Sequence, residues 1–285
     1  MQGEQLSILE LLLLVVFSAA SLFGLKVLHS SPAPGGFRTG SISEDPKWPT
    51  MGLVVVIFAL CAYLIFPGIV MLVLEEVWDS GLHKDEEMVS ASSMTGGILL
   101  GGGFIALSIL FLVKDSLKLP LSSLGLRAAP LTNLLPVVLL YALFFFPLAL
   151  LALLWMQLLE VLGYEPMAQE VVKMFMDALE RGNLLEISLM VFNAVILAPL
   201  WEELIFRGLF FGYLKSRMPV LPALLFSSLV FAAYHFNLAA LLPLLIVGIA
   251  AGYVYERTRS LYFAIFFHAF FNGLSMVIQI FSAGS

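Results

Sequence analysis

An all-α membrane protein, a bundle of about eight transmembrane helices, is the fold class that this sequence predicts, on three observations. Hydrophobic residues make up 61% of the 285 and charged residues only 12%, against about 45–50% and about 25% in an average soluble domain. Eight apolar runs are long enough to cross a bilayer, which takes roughly 17–25 residues. The charges between those runs alternate in sign, as the loops of a threaded bundle should.

The runs, in order, are Leu11–Leu28, Met51–Leu74, Gly96–Val113, Leu134–Leu159, Ile187–Tyr213, Val220 to about His235, Leu238–Tyr255 and Leu261–Phe281. Only Asn237 and the polar Tyr234-His235 pair mark a turn between the sixth and seventh. The first loop, Ser30 to Pro49, is rich in Pro, Gly and Ser and reads as a flexible linker. Pro166 to Arg181 places Met167, Val171, Met174, Phe175 and Ala178 on one helical face, which predicts an interfacial helix. It reads first as a surface connector, with a lid over a site as the functional alternative. Gly97 with Gly101, and Gly248 with Gly252, have the spacing that lets helices approach closely. The division falls near residue 130. Residues 1–130 hold three spans and the flexible loop, and 131–285 hold five, with the candidate site within about 187–280.

Lysine and arginine cluster in the odd-numbered loops (Lys26, Arg38, Lys47; Lys114, Lys118, Arg127; Lys215, Arg217; Arg257, Arg259). The even-numbered loops are acidic or uncharged, which puts both termini outside. The N-terminus lacks the basic start of a signal peptide, so the first run reads as a retained helix. A net charge of −6 argues against nucleic acid as a partner. The single cysteine, Cys61, excludes an internal disulfide and a cysteine metal cluster, and its apolar run predicts a buried, inert thiol.

The chemistry concentrates in the last third. Glu202, Glu203 and Arg207 interrupt the fifth run, where ionisable groups are costly and usually functional. Glu203 and Arg207, four apart, share a helical face and predict an ion pair. Glu202 is turned by roughly 100° from its neighbour and is left as the free carboxylate. Pro199 has no N–H, so the Val195 carbonyl should lose its helical donor and the helix should kink beside the acids. His29 and His83 fall in polar loops and read as solvated. His235 and His268 fall in late spans. His268 and Asn272 are one turn apart, as are Phe231 and His235, so Phe231 can wall the imidazole. Counting depth at about 1.5 Å per residue puts Glu202, His235 and Asn272 near or above mid-bilayer, with His268 roughly 10 Å below Glu202. A carboxylate in an apolar pocket is a competent general base near neutral pH. An imidazole can share its proton, and a second imidazole with an amide can donate to an oxyanion. That set suits water attack on an amide.

The three pieces Glu202-Glu203…Arg207, Phe231…His235 and His268…Asn272, in this order, resemble the CAAX protease and bacteriocin-processing (CPBP, or Abi) family of intramembrane endopeptidases. The similarity covers roughly residues 187–280, with a weak echo at Ser123-Leu124-Gly125-Leu126-Arg127. The resemblance implies that Glu202 with His235 activates water. It implies that His268 and Asn272 stabilise the oxyanion, and that Glu203 with Arg207 is a supporting pair. Such enzymes are often labelled metalloproteases. Zinc, if used, would take His235, His268 and Glu202, but no His-Glu-x-x-His helix is present and the metal-free scheme is preferred. The implied partners are membrane lipid and a peptide or protein substrate, lipidated or carrying a transmembrane segment. The compact size suits a prokaryotic plasma membrane. Two other classes compete with the enzyme. A non-catalytic scaffold or self-immunity protein has no need of both histidines and Asn272. A proton-coupled transporter is disfavoured by the lack of duplicated halves.

Overall fold

The structure, a computed structural model, describes residues 47–79, 92–164 and 170–283. The expected first span, nearly all of the first loop, His29 and His83 lie outside the described residues. Each of the other expected runs is helical. They are α1 (Gly52–Asp79), α2 (Ser92–Ser116), α3 (Leu134–Val161), α5 (Leu184–Lys215), α6 (Val220–Ala233), α7 (Leu238–Thr258) and α8 (Leu261–Ala283). The expected interfacial helix is α4 (Glu170–Arg181). Among the described residues, five of these helices are long and apolar enough to cross a membrane, and shorter apolar stretches lie in α3 and α6. The protein is a polytopic membrane bundle.

The outer surface shows why the runs are apolar all round. Ile57, Leu64 and Leu72 of α1, Leu107 and Phe111 of α2 and Leu153 of α3 are exposed, which in lipid costs nothing. Inside, one core joins α1, α2, α5 and α6 through Val56, Ile105, Ile109, Phe206, Leu209 and Phe231. A second joins α3, α7 and α8 through Leu140, Tyr141, Val254 and Phe267. Cys61 corrects its expectation. It is exposed on α1, because a uniformly apolar run does not say which of its faces meets protein.

Both glycine pairs are contact points, as expected. A Cβ on Gly97 would lie 2.5 Å from the Pro67 carbonyl oxygen, and one on Gly101 would lie 2.8 Å from the Pro67 Cα. One on Gly252 would meet Leu224 at 2.3 Å and one on Gly248 would meet Ser228 at 3.0 Å. The first pair brings α1 against α2, and the second brings α6 against α7.

α6 is short. Its 14 residues reach about 21 Å, less than the ~30 Å of a hydrocarbon core. His235 therefore falls in the turn after the helix, next to Phe236 at φ 49°. Asn237, the expected turn marker, caps α7 by accepting from the Ala240 amide at 3.0 Å.

The Ser123–Arg127 stretch ties the first half to α8. The Leu261 amide donates to the Gly125 carbonyl at 2.8 Å, and Ser260 Oγ donates to the Arg127 carbonyl at 2.8 Å. Gly125 sits at φ +78°, and a Cβ there would meet the Tyr255 ring at 2.3 Å. Gly125→Ala is expected to destabilise the protein by about 1–3 kcal/mol, read as a lower thermal midpoint in detergent. An unchanged midpoint would show that this stretch does not anchor α8.

Candidate active site

α5 carries the carboxylates and is irregular around them. It runs as a π-helical turn at Asn193–Leu197, an α segment at Ala198–Glu203 and a second π-helical stretch at Leu204–Phe211. Wider turns of this kind commonly mark functional segments. The first one extends the effect of Pro199 to a second carbonyl. The Ala198 amide donates to Asn193, five residues back. Ala194 then loses both helical donors, because Ala198 is committed elsewhere and Pro199 has none. Pro199 still withholds the α-register donor from Val195, as expected, and the π-helical turn adds Ala194 as a second carbonyl. Asn272 of α8 supplies the missing donor, its Nδ2 lying 2.7 Å from the Ala194 carbonyl oxygen.

Beyond the acids, Glu203 and Arg207 form the expected pair at 2.8 Å, both buried, at 0% and 2% exposure. Arg207 also donates to the Gly248 carbonyl of α7 at 3.0 Å. The close approach at Gly248 thus presents a backbone acceptor to the guanidinium. Glu203 Oε1 also accepts from His268 Nδ1 at 2.8 Å. The Arg207 guanidinium lies over the Phe231 ring, 4.4 Å from its centre. The same ring meets His235 and His268 edge-on, with ring centres 5.0 and 5.7 Å apart. Phe231 is the wall that the spacing suggested, and it serves both imidazoles.

The two histidines face Glu202 from opposite elements. His235 Nε2 and His268 Nε2 each lie 3.9 Å from Glu202 Oε2. His268 Nε2 nonetheless comes within 3.9 Å of Glu202 Oε2, so the roughly 10 Å offset expected from the depth count does not keep the two side chains apart. Tautomers follow from the partners. His235 Nδ1 lies 2.9 Å from the Phe231 carbonyl oxygen, which only accepts, so Nδ1 holds the proton. His268 Nδ1 donates to the Glu203 carboxylate. In the neutral rings both Nε2 atoms are therefore bare lone pairs, and they point at a carboxylate oxygen with no hydrogen-bond partner among the described residues. Three acceptors converge, and a donor with two protons, such as water, can serve the carboxylate and one imidazole at a time.

The site opens into a cavity of about 830 Å³ lined by Glu202, His235, His268 and Asn272. Its other walls are mostly apolar, with Met94, Met156, Met190 and Phe175 of α4, and also carry Asn193, Asn237 and Ser275. Of the zinc set, Glu202 Oε2 lies 3.9 Å from each imidazole Nε2, wider than the ~3.3 Å between ligand atoms of a tetrahedral zinc site. No group of three His, Cys, Asp or Glu side chains among the described residues is arranged to hold a metal ion.

Sequence reasoning missed three participants. Tyr63 of α1 donates from its hydroxyl to Glu202 Oε1 at 3.4 Å. Tyr234 donates to the Leu60 carbonyl. Asn193, buried in the cavity wall, donates to Thr95 of α2 at 2.8 Å. Their shared signal was a polar group within an apolar run, which needs a partner somewhere.

A helical membrane bundle holding a carboxylate against two imidazoles defines the class: a membrane protein with a part-buried glutamate–histidine centre. Residues 184–274 match the family model described as Type II CAAX prenyl endopeptidase Rce1-like, and this part of the chain is a domain of that family. A Bacillus subtilis (strain 168) protein named "Putative membrane peptidase YdiL" is 32% identical over 94 residues. The match takes in 33% of this chain and 38% of the length of that relative. No solved structure matches the chain.

Proposed function

We propose that the protein is an intramembrane endopeptidase that hydrolyses a peptide bond with water activated by Glu202 and His235. The observation that carries this reading is the convergence of Glu202 Oε2 and the two Nε2 atoms at 3.9 Å. A water held there can contact the carboxylate and an imidazole together. Its oxygen attacks the scissile carbonyl carbon while one proton passes to Glu202. In the imidazolium form of His268, Nδ1 stays on Glu203 and Nε2 carries the proton that meets the tetrahedral oxyanion. Asn272 spends one amide N–H on Ala194, and its second is the other proposed oxyanion donor. The C–N bond then breaks, the proton on Glu202 passes to the leaving nitrogen, and a new carboxyl and a new amine result. Glu203 and Arg207 hold His268 in place, and Phe231 shields both rings.

The apolar cavity suits a lipidated peptide or a transmembrane segment, and the family description points to a prenylated CAAX terminus. The loop charges support both termini lying outside. The test compares protein termini in membranes of cells carrying wild type, Glu202→Ala or His235→Ala. New termini seen only with wild type are expected, and they name the substrate. Identical termini in all three, with the variants folded, would defeat the reading. Treating the wild-type membranes with a zinc chelator is expected to leave cleavage unchanged, and its loss would bring a metal into the scheme.

A further inference from the structure

We infer that Tyr63, on α1 and outside the matched family domain, is a positioning residue for the glutamate base: its hydroxyl holds Glu202 Oε1 so that Oε2 faces the two imidazoles. Tyr63 lies 139 residues from Glu202, and its Oη is 3.4 Å from Oε1. The two carboxylate oxygens thereby differ. One is tethered by a neutral O–H, and the other has no hydrogen-bond partner among the described residues and sits 3.9 Å from each imidazole Nε2. Without the tether, partial rotation about the last side-chain bond would turn Oε2 away from the imidazoles.

The hydroxyl is itself held. The Tyr63 ring stacks on Tyr234, with centres 6.0 Å apart and planes 20° from parallel. Tyr234 donates from its own hydroxyl to the Leu60 carbonyl, one turn before Tyr63 on the same helix. It also meets Phe206 of α5 edge-on at 5.5 Å. Tyr234 is the chain neighbour of His235. A single turn of α1, Leu60 to Tyr63, is therefore the common reference for Glu202 and for the residue beside His235. That turn is fixed in the bundle by Pro67, whose backbone packs against Gly97 and Gly101 of α2. A neutral hydroxyl suits the role, since it orients the carboxylate without adding a charge that would compete with the imidazoles.

Two readouts test this, and only the second rests on the proposed peptidase reading. The first is infrared. The spectrum of wild type minus Glu202→Gln isolates the Glu202 carboxyl band, and Tyr63→Phe minus Tyr63→Phe/Glu202→Gln isolates it without the hydroxyl. A displaced band is expected, and an identical band would overturn the inference whether or not the protein cleaves anything. The second uses a fluorophore–quencher peptide with a farnesylated CAAX terminus in detergent micelles. Tyr63→Phe is expected to lower kcat roughly tenfold, the size of one hydrogen bond to a charged group. KM and the thermal midpoint should be unchanged, which a merely structural role would not give. A rise in KM at constant kcat would place Tyr63 against the substrate and overturn the inference. If wild type does not cleave this peptide, that substrate reading fails, and the infrared comparison still decides the role of Tyr63.

Discussion

Glu202→Gln is expected to abolish cleavage while leaving the fold intact. The amide has the shape of the carboxylate but cannot accept the proton of the attacking water. General-base catalysis of this kind is worth about 10²–10⁴-fold in rate, so the variant should fall to background against the peptide or against the substrate found from membrane termini. Stability should hold or rise slightly. Glu202 Oε2 has no hydrogen-bond partner among the described residues, and its replacement removes a partly buried charge. Persistence of wild-type turnover would remove Glu202 from the reaction and reopen the scaffold and transporter readings.

The second large effect is on stability. Arg207→Ala is expected to cost about 3–5 kcal/mol, because it strands a buried carboxylate. Glu203 is 0% exposed and would keep only His268 as a charge-stabilising contact among those described here. Arg207→Lys should recover only part of this loss, since one ammonium does not reproduce the forked contact with Glu203 and the Gly248 carbonyl. The double variant Glu203→Gln/Arg207→Met should regain much of the stability, because removing both charges removes the desolvation cost of each. It should not regain activity, since His268 loses the carboxylate on Nδ1. Unfolding in mixed micelles checks the first half of this prediction and peptide turnover checks the second. A double variant that is stable and fully active would show that the pair contributes nothing to orienting His268.

The residues that converge here were legible because helices impose spacing. Glu203 with Arg207 and His268 with Asn272 are each four apart on a helix and share a face, and the turn after α6 keeps His235 beside Phe231 at the same spacing. What was not legible depends on register or on contacts across the bundle. The π-helical turns in α5 have no periodic signature in an all-apolar stretch, so the orphaned carbonyl at Ala194 was not foreseen. Tyr63 meets Glu202 across 139 residues, and nothing local to either marks the meeting. Cys61 was taken as buried because hydropathy reports how apolar a run is and not which side of it faces lipid. Asn272 carried a chemical role by spacing and resemblance, and the structure adds a backbone contact that spacing could not reveal.

That contact also bears on how the protein is made. α5 carries a carbonyl at Ala194 that its own helix cannot satisfy, and the donor comes from α8, the last described helix to leave the ribosome. An unsatisfied carbonyl in hydrocarbon costs several kcal/mol. Until α8 has been inserted, α5 must share that carbonyl with trapped water or with the insertion machinery. Biogenesis therefore has a late step in which docking of the final helix seals the bend beside the two glutamates. A nascent chain halted before Leu261 should stay bound to chaperones or be degraded, however well its first helices have inserted.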